Sequence, residues 1–149
     1  MKTITRRGKD TILPIVGDSV SELCLSASRP FAIVFQDASN EESHLTLEQD
    51  ILLKRGDVER RVPSYRSNAP FDPSQLSPLL DLLGSMVTDT CAYHDGRLEV
   101  TFSCQWSLLV LPIESYEAWR FQYPRPGRPI GGNLAHAQSL GGYEGGLVG

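Results

Sequence analysis

The sequence predicts an α+β fold, mainly antiparallel β, made of two pseudo-repeated β-meanders with one short central helix. Three observations carry this. GDSVSELC at residues 17–24 returns as GSMVTDTC at residues 84–91. Apolar and polar residues alternate after an Asp95-Gly96 pair. A leucine-rich stretch opened by Asp72-Pro73 separates the two copies.

The copies stay aligned at the offset that takes Gly17 to Gly84. Leu13 falls on Leu80, Val20 on Val87, Cys24 on Cys91 and Phe35 on Phe102. Conservative pairs lie between them: Ile15 with Leu82, Ser21 with Thr88, Glu22 with Asp89, Phe31 with Leu98 and Ile33 with Val100. A match at one fixed offset marks an internal duplication. Residues 1–140 therefore read as one domain with copies at about 13–62 and 80–123, and residues 141–149 as a flexible Gly-rich tail.

The strands follow in order. In the first copy Phe31, Ile33 and Phe35 recur at the same period of two. Its preceding turn matches Asp95-Gly96 in position but reads Ser28-Arg29. A third strand includes Leu45, Thr46 and Leu47, and a further hairpin is centred on Arg55-Gly56-Asp57. In the second copy Asp95-Gly96 predicts a type I′ turn between residues 86–93 and 97–103. A third strand over residues 107–111 stops at Pro112. Between the copies Asp72 is a good N-cap with Pro73 at the first helical position, and Gly84 is the stop; Pro78 inside the helix is a cost, so a short helix beginning at Asp72 or Ser77 is expected. Leu76, Leu79, Leu80 and Leu83 give that helix an apolar stripe. After Pro112 a helical turn at residues 114–119 leads into an aromatic strand.

Bulk properties exclude several classes. The chain has 149 residues, 40% of them hydrophobic and 21% charged, enough to bury one core. A net charge of −4 speaks against a general nucleic-acid binder. The polar, basic start MKTITRRGKD is no secretory signal, and no apolar run is long enough for a membrane span. A cytoplasmic location is the expectation. Cys24, Cys91 and Cys104 are odd in number and lack CxxC spacing, so reduced, buried thiols are expected.

Catalytic signatures are sparse. His44, His94 and His136 are scattered, which speaks against a metal centre. Ala137-Gln138-Ser139-Leu140-Gly141 is a poor nucleophile elbow, and there is no phosphate-binding glycine loop. Glu114 and Glu117 read as surface carboxylates. No cofactor is implied. Tyr116, Trp119, Phe121 and Tyr123 read as aromatics that close the core or line a pocket.

Charge is uneven. Residues 30–53 contain no Lys or Arg but hold Asp37, Glu41, Glu42, Glu48 and Asp50. Residues 67–96 also lack both, while basic residues gather at Arg6, Arg7 and Lys9, at residues 54–66 and at residues 120–128. The acidic stretch, led by the loop at residues 36–43, is the candidate face for a basic protein partner.

Gly84, Val87, Asp95-Gly96, Tyr116-Glu117-Ala118-Trp119 and Gly131-Gly132-Asn133-Leu134-Ala135 together resemble a family of small, uncharacterised bacterial proteins classed as a domain of unknown function. Ile130 departs from that pattern, where proline commonly precedes the two glycines. The resemblance implies no activity. It implies a gene context in which small β-rich proteins act as immunity proteins beside secreted toxins. The leading expectation is a non-catalytic immunity protein that occludes a toxin domain. A ligand-binding or enzymatic domain with a pocket between the repeats is the alternative, and a homodimeric structural domain the third reading.

Overall fold

The structure, a computed structural model, describes residues 2–67, 70, 72–113 and 117–124, with the backbone of the strands at 136–139 and 147–148. The chain runs β1 (Thr5–Arg7), β2 (Asp10–Ile12), β3 (Ser19–Cys24), β4 (Phe31–Gln36), β5 (Glu42–Leu47), β6 (Ile51–Arg55) and β7 (Val58–Val62). A 3-10 turn (Pro73–Leu76) and helix α1 (Ser77–Leu80) follow. Then come β8 (Val87–Ala92), β9 (Leu98–Phe102), β10 (Ser107–Val110), β11 (Trp119–Gln122), β12 (His136–Ser139) and β13 (Leu147–Val148). The fold is mainly antiparallel β, in two sheets. One has the order β1-β2-β8-β9-β10-β6-β7, the other β13-β12-β11-β5-β4-β3.

The two meanders, β3-β4-β5 and β8-β9-β10, lie in different sheets and are built alike. Val20 pairs with Phe35 and Val87 with Phe102, and in each ladder the register then shifts by a bulge. The bulged residues, Ser21 and Thr88, each donate a hydroxyl hydrogen bond of 3.2 Å, to the carbonyls of Val34 and Thr101. The two glycine segments cross each other. Gly17 N–H donates to Val87 O, and Gly84 N–H to Val20 O. Val20 N–H donates to Ser85 O, and Val87 N–H to Asp18 O. Ser19 and Met86 form the bridge at the centre of this crossing. Both glycines have positive φ, 92° and 79°, a conformation that costs any side chain with a Cβ.

The fourth strand of each half changes sheets. β6 pairs with β10 of the other meander, and β11 pairs with β5. Inward residues of both sheets then share one core: Ile33, Phe35, Leu45, Leu98, Val100, Phe102, Leu108, Trp119 and Phe121 all belong to it. Trp119 Nε1 donates 2.9 Å to Gly96 O, tying β11 to the β8–β9 turn of the opposite sheet.

Several local expectations are corrected. The β8–β9 turn is not type I′. Tyr93 N–H donates to Arg97 O across three residues, and only Gly96 has positive φ, the pattern of a type I turn closed by a glycine bulge. Six residues, not a tight turn at Ser28-Arg29, join β3 to β4. The central helix is short as expected, a 3-10 turn from Pro73 followed by α1 from Ser77, and it ends before the leucine stripe does. Asp72 Oδ1 accepts from Ser74 N–H, but Pro78 follows at once, and α1 has four residues. Leu79 and Leu82 reach the core while Leu80 and Leu83 stay exposed. β1 and β2, unforeseen in the polar N-terminal stretch, add to the edge of β8 through Thr11 opposite Ala92. Residues 114–116 of the expected helical turn at 114–119 fall outside the described residues, and Trp119 already opens β11; most of the tail at 141–149 also falls outside them, and its Leu147–Val148 pairs with β12.

Candidate functional site

The acidic residues singled out in the sequence do not form one face. β5 separates them: Asp37, Glu41 and Glu42 lie at the end where β4 turns into β5, and Glu48 and Asp50 beyond its other end. Strand geometry puts roughly 17–20 Å between the ends of six residues. Glu48 accepts 2.8 Å from the Tyr65 hydroxyl and pairs with Arg66 at 3.4 Å. Asp50 is gripped by Arg61 at 2.6 Å and accepts 2.7 Å from Ser64 N–H. These two carboxylates fasten residues 61–66 to the body.

The β4–β5 turn is different. Asp37 N–H donates to Glu41 O, and Asn40 N–H to Asp37 O, with Asn40 at a φ of 63°. The Asp37 carboxylate accepts from Ser39 N–H at 2.8 Å and Glu41 N–H at 2.9 Å. Asx-type bonding of this kind fixes a turn from within. The Glu41 amide bond, then the Ser39 amide and Lys2, hold the Asp37 carboxyl below the ordinary carboxylate range. Glu41 and Glu42 are exposed beside it, Glu42 at 3.6 Å from His44 Nε2. This turn is an ordered acidic tip.

Beneath it lies a pair that sequence reasoning missed. Lys2 Nζ sits 2.6 Å from Asp18 and 3.8 Å from Asp37, and donates 2.9 Å to Pro14 O. Lys2 and Asp18 are both under 10% exposed at their side chains. Burial pushes the Asp18 carboxyl up, against the pull of Lys2. Nothing in the letters singled it out: Asp18 stands between Gly17 and Ser19 and matches a serine, Ser85, in the other copy.

The aromatic candidates are core. Trp119, Phe121 and Tyr123 are buried, the last two stacked at 5.6 Å; Tyr116 lies outside the described residues. Among the described residues these three side chains belong to the core shared by the two sheets. A cleft of about 60 Å³ lies elsewhere, between Ala27, Phe31, Pro63, Tyr65 and Leu76. Small-molecule sites run to roughly 300 Å³ or more.

The thiols are free and differ in setting. Cys91 is buried, and burial pushes its thiol up. Cys24, expected to be buried, is exposed: β2 covers the edge beyond β8, whereas β3 is the edge of its sheet among the described residues. His94 on the β8–β9 turn pairs with Asp10 at 3.2 Å. The His94 amide holds the Asp10 carboxyl down. Among the described residues no three His, Cys, Asp or Glu side chains converge on a metal-sized point, and no helix is long and apolar enough to cross a membrane.

Residues 11–131 match the model of a family of unknown function, DUF6188. No curated protein and no solved structure matches the chain.

Proposed function

The chain belongs to DUF6188, and from that premise we propose that it is a non-catalytic binding protein, in its most concrete form an immunity protein that occludes a cognate bacterial toxin. The observation that carries this reading is the β4–β5 tip. Its backbone is fixed by Asp37, and it presents Glu41 and Glu42 to solvent. A pre-ordered loop loses little entropy on docking, and its carboxylates suit a basic partner. The packed interior and the small cleft support binding by a surface rather than turnover in a pocket. A toxin domain that attacks nucleic acid is the partner whose chemistry fits, because its phosphate-binding cations would meet carboxylates here. A cytoplasmic location goes with this role.

The test is a pull-down from native cytosol with the folded protein as bait, followed by titration calorimetry on the partner recovered. A single stoichiometric basic protein is expected, with affinity reduced about a hundredfold or more by Glu41→Lys combined with Glu42→Lys. A partner that binds wild type and double variant equally rejects the acidic tip. Retention of no partner at all removes the immunity reading.

A further inference from the structure

We propose that Lys2 is the positioning residue of the acidic tip: its buried ammonium, held between Asp18 and Asp37, locks the β4–β5 turn in the pose that presents Glu41 and Glu42. This rests on the reading of that tip as the docking surface. The argument begins with placement. Lys2 Nζ is anchored on the body by Asp18 and by the carbonyl of Pro14, and reaches Asp37 at 3.8 Å. Asp37 in turn holds the amides of Ser39 and Glu41. A chain of contacts thus runs from the glycine crossing through one cation to the loop.

The second meander supplies a built-in comparison. Its β9–β10 turn has the same backbone pattern: Phe102 N–H donates to Trp106 O, Gln105 N–H donates to Phe102 O, and Gln105 has a φ of 77°. There the closing residues are Phe102 and Trp106, both buried, so packing anchors the turn. In the first meander Asp37 and Glu41 stand at those places, where hydrophobic anchoring is absent. The lysine takes over the anchoring that a tip needs if it is to stay acidic. Charge repulsion among Asp37, Glu41 and Glu42 is eased at the root of the turn while the outer carboxylates remain in water.

Amide hydrogen exchange on the full chain, read by NMR with no partner present, tests this. Asn40 and Gln105 are matched probes, since each amide makes the same bond in its own turn, at 3.0 and 3.1 Å. In Lys2→Met the Asn40 amide is expected to exchange about tenfold faster relative to Gln105. Equal acceleration of both probes shows a general loss of stability and overturns the proposal, as does an unchanged Asn40. Should Lys2→Met fail to fold, Lys2→Gln carries the test. It keeps a donor for Asp18 and Pro14 O, leaves the bonds within the turn untouched and removes the charge facing Asp37, so Asn40 is again expected to speed up relative to Gln105, and no change overturns the proposal. Exchange is independent of any toxin, so the clamp and the immunity reading fail separately.

Discussion

Single side chains set the chain's response to pH and to truncation. Asp10, Asp37 and Asp72 are each held below the ordinary carboxylate value by hydrogen bonds, to the His94 amide, the Glu41 amide and the Ser74 hydroxyl respectively. A depressed carboxyl stabilises the fold above its unfolded value of 3.8 and loses that effect as pH falls through the folded value. Asp18 is raised, so its sign is opposite: its contribution is full below 3.8 and is lost as pH rises through the folded value. Asp18→Asn should therefore steepen the loss of stability in acid, and Asp37→Asn should flatten it, as read from urea midpoints stepped downward from pH 5. Ser43 is a separate case. Its hydroxyl is buried on the inner side of β5 and has no partner among the described residues. Ser43→Ala should leave stability unchanged or raise it by up to about 1 kcal/mol in urea unfolding, since an unpaired buried hydroxyl is a cost. The Asp72 cap was legible in the sequence; the partners of Asp10 and Asp18 were not, because they lie across the chain and depend on topology. The five acidic residues looked like one patch in a row of letters, and β5 parted them.

Strands and turns were far more legible. Phe31-Ile33-Phe35 and Leu98-Val100-Phe102 announce their buried faces through a period of two, and both triplets are in the core. Asp72-Pro73 marked a helix start correctly, but Pro78 and the tight path to Gly84 cut the helix to one turn. Asp95-Gly96 found a hairpin and missed its type. One residue more in the loop leaves only Gly96 needing positive φ. What the letters could not carry was the sheet to which each strand goes. β6 follows the first meander in sequence and joins the second in space. At this scale Gly17→Ala and Gly84→Ala are matched experiments. No atom crowds either Cβ position, so the cost is backbone conformation alone, about 1–2 kcal/mol each by thermal or urea unfolding. Unequal losses would show that the two crossings do not bear equal strain.

Over the whole molecule, the halves are held together by what each lends the other. The link between sheets includes Trp119 on Gly96 O, and Trp119→Phe should lower stability by about 2 kcal/mol, the cost of leaving that carbonyl unpaired. The fourth strands make a larger demand. A fragment ending near residue 67 would carry β5 without β11 and β6 without β10. Residues 1–67 and residues 68–149, made as separate polypeptides, should each lack stable β structure by circular dichroism and regain it when mixed. Folding of either alone would show that the strand exchange is dispensable. The glycine crossing gives this arrangement its local symmetry. Gly17 with Val20, and Gly84 with Val87, are the same hand offered from two sides. Each glycine segment finds its backbone partners in the other. The two sides of the crossing differ in what surrounds them: Asp18 stands where the second meander has Ser85, and the first turn closes on Asp37, reached by Lys2 from ahead of the repeat, where the second closes on the buried Phe102 and Trp106.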